Sequence, residues 1–251
     1  MKNIHSLEYE SLIKEVISVR EEECFLTITN IKTILETEIH QKDTLRLMSI
    51  PILYSVWERA FSIWTAICLR VIQKNYLKAI DCPPQTRVYW LRKADFFKSF
   101  ISSIRDILEL EREDSAFQQT SGFKKKITKG AFNLSSQVLL ELDKWHEQPL
   151  SDKDISALVI TFSNVNDAVV RTNAEAIGLT KLHSFSKLDL SKLGELVGVR
   201  NGIGHGGTLA PPGKRNLDEL IIYTENLIKQ YSEVVIEWIL LHSDGQQNLD
   251  L

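Results

Sequence analysis

An all-α fold, a bundle of long antiparallel helices, is predicted by three observations. Glycine (11) and proline (6) are scarce among 251 residues, so little in the chain forces long elements to end. Apolar residues recur with a 3.6-residue period over long stretches. No internal repeat, low-complexity tract or dividing linker interrupts them, which makes residues 1–251 one domain.

The elements follow in order. Residues 6–42 carry Leu12, Ile13, Val16, Ile17, Phe25, Leu26, Ile31 and Ile34 among many charges, an amphipathic helix with room for one break. Residues 44–80 read as a second helix, entered near Pro51 and apolar nearly all round, and Asp81-Cys82-Pro83-Pro84 stops it. Residues 86–112 form a third helical segment rich in Trp90, Phe96, Phe97 and Phe100, aromatic residues at core spacing. Residues 113–133 are polar and turn-rich, and read equally as a short hairpin inserted in the middle of the bundle or as a loop. Helical periodicity resumes at 134–146, and Ser151-x-x-Asp154 opens a further helix as a capping-box variant. The run ALVITF that follows is β-branched enough to leave a strand open. Residues 189–200 form a short helix with Leu190, Leu193, Leu196 and Val197 on one face, and Asn216-x-x-Glu219 caps a strong final helix to about His242.

Composition bounds the function. The net charge of −3 argues against a protein that coats nucleic acid by global basicity, but leaves room for a local basic site. Three widely separated cysteines, Cys24, Cys68 and Cys82, make no disulfide framework, so a reducing cytoplasm is expected. The most apolar stretch, Leu47 to Leu69, is interrupted by Glu58 and Arg59 and falls short of the roughly 18 uncharged residues of a membrane span.

The segment LGELVGVRNGIGHGG, residues 193–207, carries the most information. It holds Arg200, Asn201 and His205 as an R-N-x-x-x-H array between a short amphipathic helix and a long one. It resembles the signature of the HEPN superfamily, in which an arginine and a polar residue precede a histidine by a few positions. A weaker likeness is the apolar helix LYSVWERAFSIWTAI, residues 53–67, with Glu58 as its internal acid. The resemblance implies a HEPN-like helical bundle. It further implies a metal-independent endoribonuclease without cofactors, built as a homodimer whose two motifs face each other. Its toxin-like and antiviral branch implies a toxin–antitoxin or antiphage setting, with an antitoxin or defence-system protein as partner. The same superfamily includes members that bind without cutting, so a helical module that binds nucleotide, RNA or protein is the competing expectation.

The residues suit that chemistry. His205, with an ordinary pKa of about 6.5, serves as general acid or base for 2′-OH attack. Arg200 offers a permanently charged planar fork for the phosphate and its more charged transition state. Asn201 stands four residues before His205 and shares its face if the backbone stays helical, where its amide orients the imidazole. Arg200 and His205 are about 140° apart on a regular helix, a difficulty that a symmetric dimer eases. A plainer reading also stands: Arg200-Asn201 as a helix C-cap and His205 as one of six ordinary histidines. Gly202-x-Gly204-x-x-Gly207 spells a dinucleotide fingerprint, but a helix rather than a parallel strand precedes it, which excludes that use.

Two further features are candidates. Tyr54, Glu58, Ser62 and Thr65 fall within about 80° of one another, a polar stripe on an otherwise apolar helix. Glu58 there either pairs with Arg200 or positions His205, or else faces solvent or a neighbouring cation. The cluster Lys124, Lys125, Lys126 and Lys129 is either a grip for an RNA backbone or a solvated face.

Overall fold

The computed structural model describes residues 2–37, 42–113, 121–150, 155–162, 164–204 and 212–243. Its helices are α1 (Lys2–Ser18), α2 (Leu26–Thr37), α3 (Lys42–Asn75), α4 (Pro84–Leu91), α5 (Asp95–Glu113), α6 (Ser121–His146), α7 (Asp167–Ile177), α8 (His183–Ser186), α9 (Leu193–Gly204) and α10 (Lys214–Ser243). No strand occurs among the described residues, so the fold is all-α and the ALVITF run is not a strand. The chain divides into two compact units, Met1–Val71 with Ile155–Leu251, and Ile72–Asp154.

In the first unit, the break expected in the N-terminal helix is a π-helical turn, Val19–Phe25, joining α1 to α2. The spacing of buried residues explains it. Tyr9, Leu12, Val16 and Val19 are buried at steps of three or four, then Cys24 follows after five, and Ile28 and Ile31 resume the α period. A regular helix would swing Cys24 about 140° from Val19, and the wider turn returns it to the core. The helix α3 starts two turns before Pro51 rather than at it. Burial of Ile50 and Leu53 outweighs the roughly 3 kcal/mol that an interior proline costs.

The core lies between α3 and α10. Tyr231 of α10 is packed by Trp57, Phe61 and Trp64 of α3 at ring separations of 5.6, 5.8 and 6.0 Å. Such pairs add about 0.5–1.5 kcal/mol each beyond area burial. Polar ties fix the register: Lys32 to Glu225 at 2.7 Å and Arg20 to the Ser232 hydroxyl at 3.1 Å hold the N-terminal helix to α10. Glu23 and Glu15 pair with Arg59 and Arg70 of α3.

In the second unit, α5 packs on α6, and Ala79 N–H donates to Gln148 O (2.9 Å). Pro84 opens α4 at its first turn, where its missing N–H is harmless. The expectation of a hairpin or loop over 113–133 is corrected: α6 begins at Ser121, and residues 114–120 lie outside the described ones. Phe123, Ile127, Ala131, Leu134 and Val138 recur at steps of three and four, and the lysines between them are good helix formers. The glycines at 122 and 130, which suggested turns, cost only about 1 kcal/mol each inside a helix. Trp90 and Trp145 are buried, whereas Phe96, Phe97 and Phe100 are half-buried.

All three cysteines are free and buried. Burial pushes the Cys24 and Cys82 thiols up to about 12, and Cys68 higher still. Among the described residues, no helix is long and apolar enough to cross a membrane.

The end of α10 contains a pH-sensitive contact. His242 stacks on Trp238 at 3.8 Å and donates from Nδ1 to the Trp238 carbonyl (2.8 Å). Burial lowers its pKa below the ordinary 6.5. The unfolded chain therefore binds the proton first as pH falls, and the stability this site contributes above about 6.5 is lost on acidification through the lowered folded value. Thermal denaturation between pH 7.5 and 5 should show a shallower loss of Tm in His242→Phe than in wild type, and parallel curves would refute this.

Candidate functional site

The helix α9 presents the motif. Its buried residues Leu193, Leu196 and Val197 dock it in the first unit. At its N-terminus, Lys192 pairs with Glu219 of α10 (3.0 Å), a tie about two turns ahead of Arg200. The backbone stays helical through Gly204, so Arg200 and Asn201 lie inside the helix rather than at a left-handed cap. That removes the capping reading of Asn201, because a C-cap asparagine adopts positive φ. Gly202 and Gly204 are helical too, which is incompatible with a phosphate-binding turn after a strand. His205 follows directly and lies outside the described residues.

Arg200 is half-buried, and its guanidinium carbon stands 5.0 Å from the centroid of the Tyr54 ring. A cation over an aromatic face gains roughly 0.5–2 kcal/mol, the upper end when water is excluded. One guanidinium nitrogen donates to Asn201 Oδ1 (2.9 Å), so the neighbouring amide orients the arginine. Among the described side chains, no carboxylate forms an ion pair with Arg200.

Tyr54 organises the surroundings. It is fully buried, and its hydroxyl accepts from Val165 N–H (2.8 Å). Burial raises the hydroxyl's pKa and the nearby Glu58 carboxylate adds to this, so it stays protonated. The polar stripe thus meets the motif through Tyr54, whose ring lies against Arg200, and among the described side chains no Glu58–Arg200 ion pair forms. Arg59 is occupied by Glu23 at 2.5 Å.

Sequence reasoning missed the segment that faces this stripe. Trp57, one turn along α3, donates its indole N–H to Val165 O (3.1 Å), so both polar groups of Val165 are held by α3 side chains. Just before it, the buried Asn173 amide donates to Ile160 O and Val169 O (both 2.9 Å). Just after it, Asn166 caps α7, accepting from Val169 N–H (3.0 Å). The expected cap at Ser151–Asp154 lies outside the described residues; the helix described here begins at Asp167. The available signal was Asn166-Asp167, a cap residue followed by an acid in the first turn. Between these anchors Asn164 N–H closes a turn on Thr161 O (3.0 Å), with Phe162 at φ 46°.

The lysine cluster sits on α6 of the second unit. Lys129 is exposed, and the side chains of Lys124, Lys125 and Lys126 lie outside the described ones. Lys125 and Lys129 are one helical turn apart and share a face. Among the described residues, no three His, Cys, Asp or Glu side chains gather as a metal-ligand set.

Residues 17–237 match the family model described as RiboL-PSP-HEPN. The chain belongs to this HEPN family. No curated protein and no solved structure matches it. HEPN domains are commonly ribonucleases, which places the chain among proteins of nucleic-acid-related function.

Removing only the Tyr54 hydroxyl leaves the buried Val165 N–H unpaired. Tyr54→Phe should lower stability in urea by about 1–3 kcal/mol, and Tyr54→Leu by more because it also removes the ring beneath Arg200. A Tyr54→Phe midpoint equal to that of wild type would contradict this assignment.

Proposed function

We propose that this chain is a metal-independent endoribonuclease that cleaves RNA by attack of a 2′-OH on the adjacent phosphate. The observation that carries this reading is the placement of Arg200: half-buried, seated on Tyr54, oriented by Asn201, and free of any carboxylate ion pair among the described side chains. A guanidinium held in that way suits a phosphodiester, whose charge rises in the transition state. His205, the next residue after α9, takes the proton from the 2′-OH or delivers one to the departing 5′-oxygen. The 2′-oxygen–phosphorus bond forms, the phosphorus–5′-oxygen bond breaks, and the products carry a 2′,3′-cyclic phosphate and a 5′-OH. Glu58 and Tyr54 are positioning residues that act through Arg200. The lysines at 124, 125, 126 and 129 give a secondary grip on the RNA backbone. The cytoplasm, a toxin or antiphage system, and a neutralising partner protein complete the proposal.

A homodimer fits the surface of α9. Gly194 and Gly198 are one turn apart and exposed, and a Cβ at either would meet nothing within 4 Å. Asn201 lies only about 60° around the helix from Gly198. This bare backbone lets a second copy approach closely beside the motif. Gly198→Arg should keep or raise Tm, since arginine is the better helix former by up to about 1 kcal/mol. In sedimentation it should shift a dimer to monomer. A variant that sediments like wild type would place the dimer contact elsewhere.

The central test incubates purified protein with total RNA in EDTA. Wild type should cleave and leave 2′,3′-cyclic phosphate ends. His205→Ala should lose on the order of 10²-fold or more in rate, and Arg200→Ala a similar amount. Equal cleavage by wild type and His205→Ala would sink the assignment. RNA binding without cleavage would favour the non-catalytic module.

A further inference from the structure

Phe162 combines two features that rarely occur together. It is the one non-glycine residue with positive φ among the described residues (46°), and its side chain is 66% exposed. It occupies the first central position of the turn closed by Asn164 N–H on Thr161 O, where positive φ belongs to glycine, asparagine or aspartate. A large aromatic there gains little burial in return for the strain. The strain is nonetheless held from both sides. Ile160 O is fixed by the buried Asn173 amide, and Val165 N–H and C=O by Tyr54 and Trp57. Backbone strain of this kind persists only where the surroundings over-determine it, and it concentrates at functional positions.

The same anchor joins the turn to the candidate site. Phe162 is three residues from Val165, a span of about 11 Å at most. Val165 N–H rests on the Tyr54 hydroxyl (2.8 Å), and the ring of Tyr54 carries Arg200 (5.0 Å). An exposed aromatic thus stands within a few nucleotides' span of the guanidinium proposed to hold a phosphate. Every base has a π-face, so one phenyl ring can take a base of single-stranded RNA whatever its identity.

We propose that Phe162, held at positive φ just before the Val165 anchor, is a nucleobase-stacking subsite for single-stranded RNA whose phosphate lies at Arg200. This rests on the RNA-binding reading of the Arg200 site and adds to it a contact to the bases. Duplex RNA, whose bases are already stacked, is discriminated against.

The test measures binding in the His205→Ala background, so that the probe survives. The probe is a fluorescein-labelled single-stranded RNA of twelve nucleotides, with a series carrying one abasic position each. Phe162→Gly should weaken binding on the order of tenfold, whereas Phe162→Trp should stay within about twofold. Phe162→Gly relieves the φ, so its Tm should equal or exceed that of the parent. One abasic position should weaken the parent while leaving Phe162→Gly unaffected. Unchanged affinity in Phe162→Gly, with Arg200→Ala weakened, overturns the subsite alone. Unchanged affinity in both overturns the RNA-binding reading as well. A lowered Tm in both Phe162→Gly and Phe162→Asn, with abasic discrimination retained, makes Phe162 structural and also overturns the subsite.

Discussion

The peptide of Val165 is held from both sides by one helix. Tyr54 and Trp57, a turn apart on α3, take its N–H and its C=O (2.8 and 3.1 Å) in a fully buried setting. Each of these groups, left alone in the interior, would cost roughly 1–3 kcal/mol. A turn of non-helical backbone, closed by Asn166 N–H on Asn164 O, is thereby accommodated inside a helical core. The ring of the same tyrosine underlies Arg200. One phenol therefore couples the chain path before α7 to the geometry of the motif on α9.

This coupling depends on rigid packing beneath it. The indole of Trp57 bonds Val165 and at the same time packs edge-on against Tyr231 of α10. Phe61 and Trp64 complete the contact, so α3 cannot rotate without breaking an aromatic cluster. The helix α9 is tied to the same α10 by the Lys192–Glu219 pair. Arg200 and Tyr54 are thus placed relative to each other by a common support, and their 5.0 Å approach does not depend on their own weak attraction.

Much of the fold was legible because amphipathic helices write their period into the sequence. A break in the N-terminal helix was legible, but its place and π-helical form were not, since they show only in the step between buried Val19 and Cys24. Residues 113–133 misled through their glycines and polarity, which are local signals, whereas Ser121–His146 forms one continuous helix that packs on α5. Pro51 misled as a helix start, because the cost of an interior proline is local whereas the burial opposing it is collective. At the site, the Tyr54–Glu58 stripe and the Arg200-Asn201 pair were visible by residue type and angular spacing. Val165 and Phe162 were not, because a backbone group that accepts side-chain hydrogen bonds and a single positive φ leave no mark on composition.

The sequence by itself determined the helical class, the motif of Arg200, Asn201 and His205, and the polar stripe of α3. Each is a property of local spacing, fixed once 3.6 residues make a turn. Only the tertiary structure decided that the ring of Tyr54 lies under Arg200, that Tyr54 and Trp57 hold the Val165 peptide, and that Phe162 is held outward at positive φ nearby. The first two depend on contacts between residues more than one hundred positions apart, where only packing determines which groups meet.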